Sequence, residues 1–236
     1  MRKTISILLC LVSGIVHASS EVGGLDRVHI DLGDEVSLQR GARTFVNYCL
    51  SCHSAAYMRY NRLGRDLGMS DEVVEENLMF ASDKIGDLMT VTMSVAHGKN
   101  WFGVAPPDLT LITRSRGPDW VYTYLRSFYV DDEPETGWNN KVFPNVAMPH
   151  VLYEWQGTQR AVMEGNEVVG FEIQKPGTMS VLEYDDAMRD LTNFLVYLGE
   201  PVKMYRGKIG LWVLLFLGIL GYFTYMLKKE YWKDVH

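Results

Sequence analysis

The chain has 236 residues, 47% of them hydrophobic, with 23 Lys and Arg against 29 Asp and Glu. That length allows one large domain or two small ones. The formal net charge of −6 disfavours nucleic acid, whose phosphates select cationic surfaces, and favours a cationic protein partner, because opposite fields raise encounter rates.

In chain order, the first segment reads as an export signal. Arg2 and Lys3 form a charged head, Ile5 to Val16 is mostly apolar, and Val16-His17-Ala18 before Ser19-Ser20 predicts cleavage after Ala18. The apolar run is too short to span a bilayer comfortably. Cleavage of residues 1–18 removes two basic side chains and no acid, leaving 21 basic against 29 acidic groups. It also removes Cys10, so Cys49 and Cys52 become the only thiols. Cys10 does not read as a lipidation site, because Leu9 is bulky where a small residue is wanted.

Residues 19–202 read as one exported domain. Its first helix runs from Val36 to about Tyr48, with Gly41, Phe45 and Cys49 on one stripe. At the end of that helix stands Cys49-Leu50-Ser51-Cys52-His53. Two thiols three residues apart, followed at once by an imidazole, form the attachment pattern of a c-type haem. Each thiol adds across one vinyl group of the porphyrin, and the next side chain lies under the ring, where a nitrogen can bind iron. A CxxC also occurs as a disulfide, a redox dithiol or half of a zinc site. A dithiol enzyme needs no His directly after the second Cys. A zinc site needs a second ligand pair at short spacing, and the sequence has none. The expected activity is therefore electron transfer.

A second helix is predicted from Ser70, an N-cap with Asp71 and Glu72 in the first turn, to about Phe80. A third starts at Pro118 and carries Trp120, Tyr124, Leu125 and Phe128 on its apolar side. The polar stretch 131–145, acidic at its start, reads as an exposed loop. Partial alternation between Arg160 and Ile173, around Gly165-Asn166, predicts a β-hairpin insertion. The last soluble helix spans Ser180 to Leu198, with Ala187, Leu191, Phe194, Leu195 and Leu198 on one face, and Gly199 and Pro201 as its stop. No internal repeat or low-complexity tract is present.

A haem iron held by His53 has a second axial position, filled in an electron carrier and open in an enzyme or gas sensor. Met148 lies in a loop, Pro144 to Pro149, where Pro149 stiffens the chain beside a weak thioether ligand. Met179, also in a loop, is its main rival, and His97 and His150 are weaker ones. Met188 reads as core, and Met226 falls in the last apolar segment.

That segment, Ile209 to Leu227, is 19 residues without a charge, long enough as a helix to cross a bilayer. Trp212, Tyr222, Tyr225, Tyr231 and Trp232 suit interfacial anchoring. Lysines or arginines flank both ends, so the export signal sets orientation: 203–208 is a juxtamembrane linker, 209–227 the membrane helix and 228–236 a cytoplasmic tail. The expected fold class is mainly α: a class I cytochrome c-like domain with loop and β-hairpin insertions, plus one C-terminal transmembrane helix. The helix that ends in the haem motif and the last soluble helix resemble the ends of that fold, which cross closely, and Gly41 and Phe45 with Phe194 and Tyr197 fit the contact.

Nearly the whole chain resembles the cytochrome c1 family, the haem subunit of the quinol–cytochrome c oxidoreductase (cytochrome bc1) complex. The matching segments are Gln39-Arg40-Gly41 before CLSCHS, Ala105-Pro106-Pro107-Asp108-Leu109-Thr110, Arg114-Ser115-Arg116, Ala147-Met148-Pro149, Gly177-Thr178-Met179-Ser180, Phe194-Leu195 and Glu200-Pro201, with the C-terminal anchor completing the order. The resemblance implies one covalent haem c on Cys49 and Cys52, His53 and Met148 as iron ligands, and no ligand role for Met179. It places Pro106 and Pro107 along the His53 side of the haem edge and Arg116 beside a haem propionate, the charged partner a buried carboxylate needs. Two departures stand out: Trp120, where the family often has Tyr, and His150 after the Met-Pro step.

The resemblance further implies a respiratory-chain subunit in a bacterial inner membrane, single-pass, with its haem domain in the periplasm. Its partners would be cytochrome b, a Rieske iron–sulfur subunit, membrane lipid and a soluble cytochrome c or similar acceptor, in a complex that is dimeric in the family. No bonds to a substrate form, so no catalytic residue is expected. Asp131, Asp132, Glu133 and Glu135 are a candidate docking patch for a basic partner. Two other functions stay open: an anchored cytochrome serving a terminal oxidase directly, and a c-type haem enzyme or sensor. The first often carries its anchor at the N-terminus. A c-type peroxidase typically needs two haem motifs, and a sensor needs a labile or vacant distal site.

Overall fold

The computed structural model describes residues 24–91 and 93–234, so the expected export signal lies outside the described residues. Helix α1 (Glu35–Tyr48) opens where the Asp34 carboxylate accepts from the Ser37 amide at 2.9 Å. It is followed by β1 (Ala55–Arg59), α2 (Tyr60–Asp66), α3 (Asp71–Leu78), β2 (Leu88–Met89), α4 (Val95–Phe102), α5 (Ile112–Arg116) and α6 (Pro118–Arg126). Then come β3 (Phe128–Val130), β4 (Trp138–Asn140), α7 (Tyr153–Gln156), β5 (Gly157–Glu164), β6 (Glu167–Pro176), α8 (Val181–Gly199), a 3-10 turn (Pro201–Met204) and α9 (Arg206–Tyr231). The strands form three separate antiparallel pairs, β1 with β2, β3 with β4 and β5 with β6. Helices dominate, as expected.

The core is centred on the crossing of α1 and α8. A Cβ at Gly41 would stand 2.2 Å from the Asp190 carbonyl oxygen and 2.6 Å from Phe194 Cβ, so only glycine lets the helices approach this closely. Phe45 and Phe194 then pack with ring centroids 5.7 Å apart, and Leu38, Ala42, Leu191 and Tyr197 are fully buried around them. The crossing has a polar lock. Asp190 is buried, yet it accepts from Ser37 Oγ at 2.7 Å and from Arg40 Nε at 2.5 Å. A buried carboxylate is tolerated because a guanidinium and a hydroxyl meet it. This is the helix pairing predicted from Gly41, Phe45, Phe194 and Tyr197.

Some local expectations change. The 131–145 stretch is not an exposed loop throughout: β4 lies within it, and Asn139 and Asn140 are buried. Their amides stand in for backbone partners. Asn140 Nδ2 donates to the Tyr124 carbonyl, and Asn139 Oδ1 accepts from the Asn140 and Asn145 amides, each at 2.8 Å. The hairpin is longer than Arg160–Ile173, with Gly157 opposite Pro176. Gly199 ends no helix by a left-handed turn. It is the last residue of α8, which does stop before Pro201, and an added Cβ there would meet Arg114 Cγ and the Thr110 carbonyl at 3.3 Å.

Helix α9 is long and apolar enough to cross a membrane, and none of it is buried in the fold. It extends beyond 209–227 at both ends. Glu200, at the end of α8, accepts from Arg114 of α5 at 3.2 Å and from Arg206, the first residue of α9, at 2.5 Å.

Candidate functional site

Helix α1 closes into a tight turn in which the Cys52 and His53 amides both donate to the Cys49 carbonyl, at 3.0 and 2.8 Å. The turn sends Cys49, Cys52 and His53 into one cavity of about 500 Å³, within the range of cofactor sites. Pro107, Arg116 and Met148 line the same cavity. All six residues singled out in the sequence therefore meet in one place, drawn from four separate chain segments.

Both thiols are free. Burial pushes the Cys49 thiol up to about 12, with the neighbouring Cys52 adding to the shift. A redox-active or metal-binding thiol needs the opposite shift, whereas a neutral thioether suits a buried apolar wall. The His53 ring is buried, which lowers its pKa and keeps it neutral. Its Nδ1 lies 2.7 Å from the Pro107 carbonyl. A carbonyl only accepts, so Nδ1 carries the proton and Nε2 keeps a free lone pair, the state a metal-binding imidazole requires.

Pro107 is itself held. The Asp108 carboxylate accepts from the Ala56 amide and from the Thr110 amide, both at 2.8 Å, and the Leu109 amide donates to the Ser54 carbonyl at 2.8 Å. These bonds tie the Pro-Pro-Asp segment to β1, directly after His53. The Asp108–Thr110 bond is an Asx turn, a signal readable in the sequence.

Met148 is presented by a loop shaped by two asparagines. Asn145 adopts a left-handed conformation, φ 59°, which Asn tolerates, and its amide is caught by Asn139 Oδ1 at 2.8 Å. Val146 then buries itself and Met148 reaches the cavity. The Tyr124 hydroxyl donates to Met148 Sδ at 3.4 Å. Burial raises the Tyr124 pKa, so the donor stays protonated.

The rivals of Met148 lie elsewhere. Met179 lines a separate cavity of about 280 Å³. His97 stacks on Trp101 with centroids 5.5 Å apart. His150 is buried, stacked on Phe128 at 4.9 Å, and its pKa is lowered to about 4 by desolvation. Arg116 is exposed and holds its guanidinium 5.2 Å over the Trp120 ring, a cation–π contact that makes use of the tryptophan noted as a departure. Among the described residues it has no carboxylate within ion-pair distance. Tyr124, Asp108 and Asn139 were not singled out as site residues. In the sequence Tyr124 shows only as part of an apolar helix face.

The donor set fits a covalently attached haem. Two unpaired thiols, an imidazole with a free nitrogen, a thioether sulfur and an exposed guanidinium border a cavity with a largely apolar wall. Among the described residues no three His, Cys, Asp or Glu side chains cluster as a site for a metal ion alone.

Residues 94–235 match the model of the Cytochrome C1 family. A cytochrome c1 of Allochromatium vinosum is 52% identical over 244 residues, covering 100% of both chains. A Nitrosomonas europaea protein named ammonia monooxygenase gamma subunit is 50% identical over 238 residues, covering 100% of this chain and 99% of that one. A cytochrome c1 of Rhodospirillum rubrum is 28% identical over 243 residues, covering 86% of this chain and 83% of its own. The family match begins after Cys49–His53, and the full-length relatives extend the likeness over that motif.

Proposed function

Because this chain belongs to the cytochrome c1 family, we propose that it carries one haem c and conducts single electrons within a quinol–cytochrome c oxidoreductase, from a Rieske iron–sulfur protein to a soluble c-type cytochrome. The observation that carries this reading is the convergence of Cys49, Cys52, His53, Pro107, Arg116 and Met148 on one cavity. A haem held there would supply one-electron redox chemistry, with no proton or bond to a substrate required.

The chain's own residues do the rest. Cys49 and Cys52 fix the cofactor by thioether bonds. His53 Nε2 supplies a nitrogen ligand, oriented by the Pro107 carbonyl, and Met148 supplies a sulfur ligand. A Met and His pair raises the reduction potential over two His ligands. Arg116, which lines the cavity, would balance a propionate. The apolar lining, which includes Leu191 and Leu195 of α8, excludes water. Helix α9 would anchor the domain in a bacterial inner membrane, with residues 19–202 on the periplasmic side.

The name of the Nitrosomonas relative describes that protein, and the residues here support electron transfer. The deciding experiment is purification from detergent-solubilised membranes. The expected result is a Soret-absorbing polypeptide that co-purifies with a b-type cytochrome and a Rieske protein. Co-purification with a terminal oxidase alone would assign it to direct oxidase reduction instead.

A further inference from the structure

Tyr124 is half-buried at the cavity and its hydroxyl points at the sulfur of Met148. Helix α6 sets it there: Trp120 and Tyr124 are four residues apart on one face, and both line the cavity. The tyrosine ring is clamped. Trp120 stacks on it at 5.0 Å with planes 13° apart, and Phe128 meets it edge-on at 5.0 Å. Phe128 in turn stacks on His150, two residues beyond Met148. One pile of rings therefore holds both the phenol oxygen and the methionine loop, and keeps that oxygen beside the sulfur.

A thioether sulfur is a weak acceptor with two lone pairs. A hydroxyl bound to one leaves the other for a metal. It also has an electronic effect. The positive end of the O–H dipole draws density from sulfur, and a poorer donor stabilises ferric iron less than ferrous iron. We propose that Tyr124 is a positioning residue for Met148, one that aims the sulfur and raises the reduction potential of the haem site. This rests on the reading of Met148 as an iron ligand.

The test is Tyr124→Phe in the full-length, haem-loaded protein, which keeps every ring contact and removes only the hydroxyl. Two quantities are read: the sulfur-to-iron charge-transfer absorption of the ferric form, and the midpoint potential by redox titration. The expected result is retention of the absorption in both proteins and a lower potential in Y124F. At a fixed ambient potential, the reduced-to-oxidised ratio should fall roughly three- to tenfold, where tenfold is ~59 mV for one electron. An unchanged potential with the absorption intact overturns the role of Tyr124. Absence of that absorption in the unmutated protein overturns Met148 as ligand, and this proposal with it. If Y124F does not accumulate, resonance Raman of the unmutated protein decides. Transfer to D2O should shift the iron–thioether vibration, and no shift overturns the hydrogen bond.

Discussion

The Pro107 carbonyl at 2.7 Å from His53 Nδ1 and the Tyr124 hydroxyl at 3.4 Å from Met148 Sδ do the same kind of work on the two proposed ligands. Each uses the far side of the donor group and leaves the near side free. The histidine gains a single tautomer, and the methionine gains a fixed direction. Replacing the sulfur tests the ligand directly. Met148→Leu is expected to keep covalent haem, because Cys49 and Cys52 are untouched. It should lose the sulfur-to-iron absorption, admit carbon monoxide to the ferrous iron, and lower the potential by on the order of 0.1 V, within the ~0.8 V that axial ligation spans. An unchanged spectrum would move the ligand to Met179 or a histidine. In the sequence, the residues alone favour Met148 over Met179 without excluding the latter, and only the family resemblance takes Met179 out. The cavity separates them, since Met179 borders a different one.

Helices α1 and α8 carry the site, and each has a local start and a tertiary constraint. Gly41 is the constraint: Gly41→Ala puts a methyl 2.2 Å from a backbone oxygen of α8, which no rotamer relieves. The expected cost is about 3 kcal/mol, a fall of roughly 6 to 12 °C in Tm for a domain of this size, measured by thermal unfolding of the full chain. The start of α8 is a capping box in which Glu183 accepts from the Ser180 amide and hydroxyl, both at 2.8 Å. Those bonds, the backbone one first, hold the Glu183 carboxyl below its ordinary 4.5. A carboxylate favoured in the folded state stabilises above its unfolded pKa and stops doing so as pH falls through its folded one. Amide protection in the first turn of α8 should therefore decline below about pH 4.5, and Glu183→Gln should remove that dependence. The long helices and the hairpin were readable because their apolar spacing repeats over many residues. The two-residue strand β2, the three-residue strands β3 and β4, and the short helices α5 and α7 hold too few residues for a period to show.

Across the whole molecule, an acidic chain ends in a helix long and apolar enough to cross a membrane. The β3–β4 turn exposes Asp132, Glu133 and Glu135, while Asp131 is occupied inside it, accepting from Asn139 Nδ2 at 2.8 Å. Neutralising the three exposed acids should slow reduction of a basic acceptor by on the order of tenfold at low salt, with the rates converging at high salt. An unchanged salt dependence would place docking elsewhere. Sequence alone determined the chemistry that is written locally: the thiol–thiol–imidazole spacing, the unbroken apolar run of the tail, and the glycine and aromatic positions of the helix crossing. The tertiary structure decided what acts over long separations: the Pro107 carbonyl on His53 across 54 residues, the Tyr124 hydroxyl on Met148 across 24, and which of four candidate ligands shares the cavity with the thiols. The division is physical. Covalent attachment and helical periodicity depend on neighbours a few bonds or one turn away. A hydrogen bond across a cavity exists only once packing has brought both partners together.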